Sequence, residues 1–239
     1  MCGLLGISTQ DGIVIDRTIK HIFHEGITAM KGRGPIAWGI LSSPPLTIAK
    51  GLGTMTETDL DAELASAESR DSNVFLVHQC APTDGRTISI KDVHPFDEGD
   101  LYLAHNGILT AEDVNDLGGS SSDVDTQAML KHIWRGVRDH KYPVPVATKI
   151  TVENLRGSFA CWLWSDIDGK LYLFRNYSPI YATDLGGAFV FSSVNIVNTD
   201  MFELRPGVVH QVVDGYLLPA LPEHVFGFYT PYAEGAQRG

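Results

Sequence analysis

The second half of this chain sets the tightest limit on its fold. Short apolar stretches recur at 158–165, 170–175, 179–184, 187–192, 207–213 and 215–218. Between them stand Asp168-Gly169, Gly186-Gly187 and Asp214-Gly215, dipeptides that suit tight hairpins. A series of this kind pairs antiparallel. It lacks the strand–helix alternation of a doubly wound parallel sheet. The first half supplies the helices. Ile19, Ile22, Phe23, Ile27 and Met30 fall at helical spacing over 16–30, and the Gly- and Pro-containing run at 32–35 ends that helix. Residues 57–69 read as an acidic, polar helix. Val124, Met129, Ile133, Trp134 and Val137 mark a helix over 123–139, which Ser122 or Asp123 would cap. Another helix is expected over about 146–155. Strands are expected at 2–8, 73–79 and 101–105, with a hairpin over 36–50 turned at Ser42-Ser43-Pro44-Pro45. The fold class is α+β. The sequence reads as one domain over 1–239, with two sheets, two helical layers and a loosely held tail from about 226.

Charge and composition exclude several function classes. Eighteen Lys+Arg against 29 Asp+Glu give a net charge of −11, whereas a chain that tracks nucleic-acid phosphates needs a basic face. No apolar run approaches the roughly 18–20 residues that span a bilayer, and no basic region precedes the apolar start as in a secretory signal. Neither nucleic acid nor membrane is an expected partner. Cys2, Cys80 and Cys161 are too few and too scattered for a disulfide framework or a zinc ribbon, so a reducing, cytoplasmic compartment is expected. The nine histidines show no HExxH-like metal spacing, and no glycine-rich phosphate loop is present. No metal or organic cofactor is expected.

Cys2 is the residue that points to chemistry. Removal of Met1 would leave it with a free α-amine, whose pKa of about 7.7–8.0 leaves part of it unprotonated at neutral pH. That amine could serve the thiol of the same residue as general base. The alternative is a small hydrophobe at a strand start. Further landmarks follow in order: Arg33-Gly34-Pro35, His94-Pro95-Phe96, Ala104-His105-Asn106-Gly107 and Asp125-Thr126, then Gly157-Ser158-Phe159-Ala160, Asp168-Gly169-Lys170-Leu171 and Leu204-Arg205-Pro206-Gly207. Singly each is weak; their order and spacing together are specific.

From Cys2 to about Val213 the chain resembles the class II glutamine amidotransferase domain, an N-terminal-nucleophile hydrolase, and the standalone members most. The resemblance implies a four-layer αββα sandwich. It implies that Cys2 attacks the side-chain amide of glutamine or a γ-glutamyl compound to form a thioester, with the Cys2 amine carrying the proton. The Asn106 amide and the Gly107 N–H would form the oxyanion hole; one such donor is typically worth about 3–4 kcal/mol. Asp125 would bind the substrate ammonium, Thr83 would fix the substrate loop, and Arg33 would order the loop beside the nucleophile. Plainer readings stand beside these. Asn-Gly is common in type I′ turns, an acid at a helix start favours the dipole, and Arg33 could be a solvated turn residue. Ammonia would be released or passed to a separate acceptor enzyme, since no synthetase or isomerase segment is expected in the chain.

One position departs from the family pattern. Within His78-Gln79-Cys80-Ala81-Pro82-Thr83 the Arg that holds the glutamine α-carboxylate is replaced by Cys80, and a thiol cannot make that bidentate contact. Arg86 could substitute, the substrate could lack that carboxylate, or the fold could be catalytically degenerate and kept for binding or assembly. Uncleaved Met1 would also silence the amine, because an amide cannot take up the proton.

Overall fold

The computed structural model describes residues 2–33, 35–81, 89–119, 124–221 and 226–227. Two antiparallel sheets lie face to face between helical layers. The first contains β1 (Gly3–Thr9), β2 (Ala37–Ser43), β3 (Thr47–Leu52), β4 (Val74–Cys80), β9 (Tyr181–Asp184), β10 (Ala188–Ser192) and β11 (Phe202–Glu203), in the order β11-β9-β10-β1-β4-β2-β3. The second contains β5 (Phe96–Glu98), β6 (Leu101–Ile108), β7 (Ser158–Ser165), β8 (Lys170–Arg175), β12 (Val209–Val213) and β13 (Tyr216–Pro219), in the order β13-β12-β8-β7-β6-β5. The helices are α1 (Arg17–Lys31), α2 (Glu57–Ser69), α3 (Ala111–Asp116), α4 (Asp125–His140) and α5 (Val144–Val152).

Strand alternation builds the layers. In β1, Leu4 faces the second sheet while Leu5 and Ile7 face α1 and α2; in β4, Leu76 points inward and Phe75 and Val77 outward. Between the sheets, Leu4, Leu41, Leu76, Ala104, Trp162 and Phe191 form one core. Phe23 and Ile27 of α1 and Leu60 and Leu64 of α2 cover the outer face of the first sheet. Met129 and Ile133 of α4 cover the second, against Leu103, Phe159 and Phe174. This is the expected αββα order. Trp162 and Trp164 are core residues, as their apolar strand predicts.

Differences from the sequence reading have local causes. α5 starts at Val144, two residues early, because Pro145 fits the first turn, where no N–H is needed. α3 escapes the periodicity because it is only six residues long; it is held by a Thr110–Asp113 capping box. The three-residue β5 and two-residue β11 are too short to show a pattern. β6 runs on to Ile108, which takes Asn106-Gly107 into the sheet and excludes a hairpin turn there. Ser122 and Asp123, the expected caps of α4, and most of the tail after 226 lie outside the described residues. Val124 occupies the N-cap position and makes no side-chain cap. Among the described residues no helix is long and apolar enough to cross a membrane.

Candidate active site

Cys2 stands at the start of β1, an interior strand paired on one side with β10 and on the other with β4. Its backbone is tied from two directions. The Arg33 guanidinium donates from Nη1 to the Cys2 carbonyl at 2.9 Å and from Nη2 to the Ser193 carbonyl at 3.4 Å. Ser193 is bound to Leu4, two residues on from Cys2, in both senses, through Leu4 N to Ser193 Oγ at 2.9 Å and Ser193 N to the Leu4 carbonyl at 2.9 Å. The half-buried Cys2 side chain packs on Ala37, Cys80 and Val93. Its Sγ lies 3.8 Å from the Ala81 carbonyl. The thiol is held far below its ordinary pKa. A hydrogen bond with the Cys80 thiol is the main cause; burial opposes it, and contact with His78 adds to it.

The alternation that turns Leu4 inward also turns Cys2, His78 and Cys80 toward the second sheet. His78 crosses the gap, with Nε2 donating to the His105 carbonyl at 3.1 Å. His105 directly precedes Asn106-Gly107 in β6, so an imidazole from the strand beside Cys2 is tied to the backbone beside Asn106. Asn106 is buried opposite Ala160 on β7. Gly107 has φ +152°, and a Cβ there would sit 1.9 Å from the Ser158 carbonyl oxygen and 2.7 Å from His105 Nε2. Only glycine fits.

Behind this corner lies a buried polar network. The His94 ring lies against that of His78, tilted by 38° with ring centroids 4.0 Å apart, and its Nε2 is 2.9 Å from Thr126 Oγ1. The same hydroxyl lies 3.3 Å from His105 Nδ1 and 3.3 Å from Asp125 Oδ1. Asp125 accepts N–H bonds from Leu109 at 3.1 Å and from Thr126 at 2.7 Å, and lies 3.7 Å from His105 Nδ1. Gly39, opposite His78 on β2, admits the His94 backbone: a Cβ on Gly39 would sit 1.7 Å from the His94 carbonyl oxygen.

Burial sets the charges in this network, with neighbours correcting it. Burial pushes His94 well down, helped by His78, His105 and Lys50, so it stays neutral. Burial would also lower His105, but Asp125 outweighs it and the imidazole rises. Burial would raise Asp125; His105 and the Leu109 and Thr126 N–H groups reverse this and hold it well below the usual range. A depressed carboxylate stabilises the fold above its unfolded pKa of about 3.9 and loses that effect as pH falls. A raised histidine stabilises fully below about 6.5 and loses that effect as pH rises through its folded value. The pair therefore contributes most between about pH 4 and 6.5. Asp125→Asn is expected to cost more stability near pH 5.5 than near pH 9, read as the shift in urea midpoint. An equal cost at both would show that the pair is not ionised as described.

Of the residues singled out from sequence, Cys2, Arg33, Asn106, Gly107 and Asp125 lie in one connected region. Thr83 and Arg86 lie outside the described residues. Asp125 is engaged by its own helix start, by Leu109 and by His105, and its side chain retains 25% exposure. His94, Thr126 and Ser193 were given no role from sequence. The first two stand inside the landmarks, but nothing local in the sequence signals their pairing across 32 residues. Ser193 follows an apolar strand and carries no sequence signal.

No profile of a known protein family matches the chain. In sequence it is 29% identical over 210 residues to the isomerizing glutamine–fructose-6-phosphate aminotransferase of Chlamydia muridarum, a match that covers 82% of this chain. The chain spans about a third of the length of that curated relative, 32%. Glutamine phosphoribosylpyrophosphate amidotransferase from B. subtilis superposes with a TM-score of 0.68 at 22% identity, over 91% of this chain and 48% of that one. A glutamine aminotransferase class-II domain protein from Silicibacter pomeroyi matches over 92% of this chain and 100% of its own, with a TM-score of 0.52 at 15% identity. With its two facing antiparallel sheets, outer helices and interior β1, the chain has the fold of the class II glutamine amidotransferase domain proteins.

Proposed function

We propose that the chain is a cytoplasmic amidohydrolase that cleaves the side-chain amide of glutamine or a γ-glutamyl compound through a Cys2 thioester. The observation that carries this reading is that Cys2 and His78 face the second sheet together and that His78 Nε2 donates to the His105 carbonyl, directly before Asn106 and Gly107. In the proposed step Cys2 Sγ, whose proton is already held by the Cys2 α-amine that removal of Met1 frees, bonds to the amide carbon. The oxygen gains negative charge and takes hydrogen bonds from the Asn106 amide and the Gly107 N–H. Collapse breaks the C–N bond, and the amine returns the proton to the leaving ammonia. Water then cleaves the thioester, giving the carboxylic acid and the thiol. Ammonia leaves or passes to a separate acceptor enzyme. Arg33 holds the nucleophile's backbone, and Asp125, Thr83 and Arg86 serve the substrate.

The test is ammonia release from L-glutamine and a panel of γ-glutamyl amides, using protein whose mass shows that Met1 is gone. Release is expected, and Asn106→Ala is expected to lower kcat by about 10²–10³-fold, the usual loss for one oxyanion donor. A second reading, a silent fold kept for binding, draws on Cys80 standing where a carboxylate-binding Arg is expected. No release from any amide in the panel would decide for it.

A further inference from the structure

Cys80 offers chemistry that the proposed hydrolysis does not use. Gly3 pairs with Gln79 and Leu4 with His78, so the same antiparallel register sets Cys2 directly across from Cys80. Both side chains emerge on the face turned to the second sheet and pack with Ala37 and Val93. Directly opposed residues on neighbouring antiparallel strands have Cα atoms about 4.5–5.5 Å apart, within the roughly 4.4–6.8 Å span of disulfides. The thiols are unequal in access: Cys2 is half-buried, while Cys80 is 6% exposed beneath it. Cys161, the third thiol, is fully buried against α4 on the far side of the second sheet, and burial drives its pKa up.

We propose that Cys2 and Cys80 form a reversible redox pair, converted by a small peroxide into one intramolecular disulfide. The Cys2 sulfur attacks one peroxide oxygen and the O–O bond breaks; the departing oxygen takes the thiol proton and leaves as water. Cys2 is then a sulfenic acid. The Cys80 sulfur attacks the Cys2 sulfur and the S–O bond breaks; the hydroxyl leaves as a second water with the Cys80 proton. Two thiols are oxidised and one peroxide is reduced. A dithiol reverses the change by exchange. The pair stands whether or not Cys2 is a catalytic nucleophile. If it is, the disulfide silences it reversibly and spares it from sulfinic acid, which is not readily reversed.

The experiment exposes the reduced full-length chain to hydrogen peroxide and follows intact mass and non-reducing peptide maps. Wild type is expected to lose about 2 Da and to yield one linked peptide pair containing Cys2 and Cys80, both reversed by dithiothreitol. In Cys80→Ser and Cys80→Ala the same dose is expected to drive Cys2 to the form about 32 Da heavier, at least about tenfold faster than in wild type. A wild-type map in which Cys2 gains the oxygens without a Cys2–Cys80 link would overturn the proposal, as would linkage to Cys161 or to a second chain. The wild-type map decides even if both variants misfold. Because the readout is mass, its outcome is distinct from success or failure of the amidase assay.

Discussion

Cys2→Ala is expected to abolish amide hydrolysis, with kcat reduced by about 10⁴-fold or more, the scale on which loss of a nucleophile is felt. The substitution removes the atom that would form the thioester and leaves the α-amine, the Arg33 clamp on the Cys2 carbonyl and the β1 register in place. Thermal stability should therefore change little, since Cys2 is half-buried and alanine keeps its Cβ against Ala37, Cys80 and Val93. Cys2→Ser keeps a nucleophilic atom but loses the easily ionised sulfur, and is expected to fall nearly as far. Ammonia release under single-turnover conditions, with circular dichroism as the folding control, checks both. Retention of wild-type turnover in Cys2→Ala would falsify the thioester mechanism while leaving the fold assignment untouched.

The largest stability effect is expected inside β2, where a connecting segment presses on the strand. Gly39→Ala should destabilise the fold by about 3 kcal/mol, the upper part of the range for overpacking a well-packed interior. The added carbon would meet the His94 carbonyl oxygen at 1.7 Å. Main chain lies on both sides of the clash, so no rotamer change relieves it. Either β2 moves, which strains its pairing with β3 and β4, or the His94-Pro95 segment backs away. The second route pulls His94 off the His78 ring and away from Thr126, so amide hydrolysis should fall together with stability. Equilibrium urea denaturation measures the first effect. A loss below about 1 kcal/mol, the middle of the ordinary range for point substitutions, would mean that the approach at Gly39 is looser than described.

Period-two and helical patterns carried most of the architecture. β7 and β8 occupy the expected residues, and α2 matches end to end. These elements are long enough, or bounded sharply enough, for local pattern to define them. α3, β5 and β11 were lost because two to six residues cannot display a period. Within the site, Cys2, Asn106 and Gly107 could be singled out because the resemblance rests on short contiguous landmarks. The His78–His94 ring contact and the Thr126 hydroxyl shared by two imidazoles could not, because they depend on how β2, β4, β6 and α4 meet in space. Gly39 is the clearest case. In sequence it is one glycine in an apolar strand; in the fold it is the opening through which a second chain segment enters.

The thiol belongs to one slab of the sandwich and the Asn106-Gly107 corner to the other. Filled volume sets their spacing, with Leu4, Leu76, Trp162 and Phe191 as spacers of fixed thickness, and the His78–His105 hydrogen bond ties the two slabs across it. Reach across the gap is thus a property of the interior, and hydrostatic compression, which acts on packed volume, becomes a handle on the proposed chemistry.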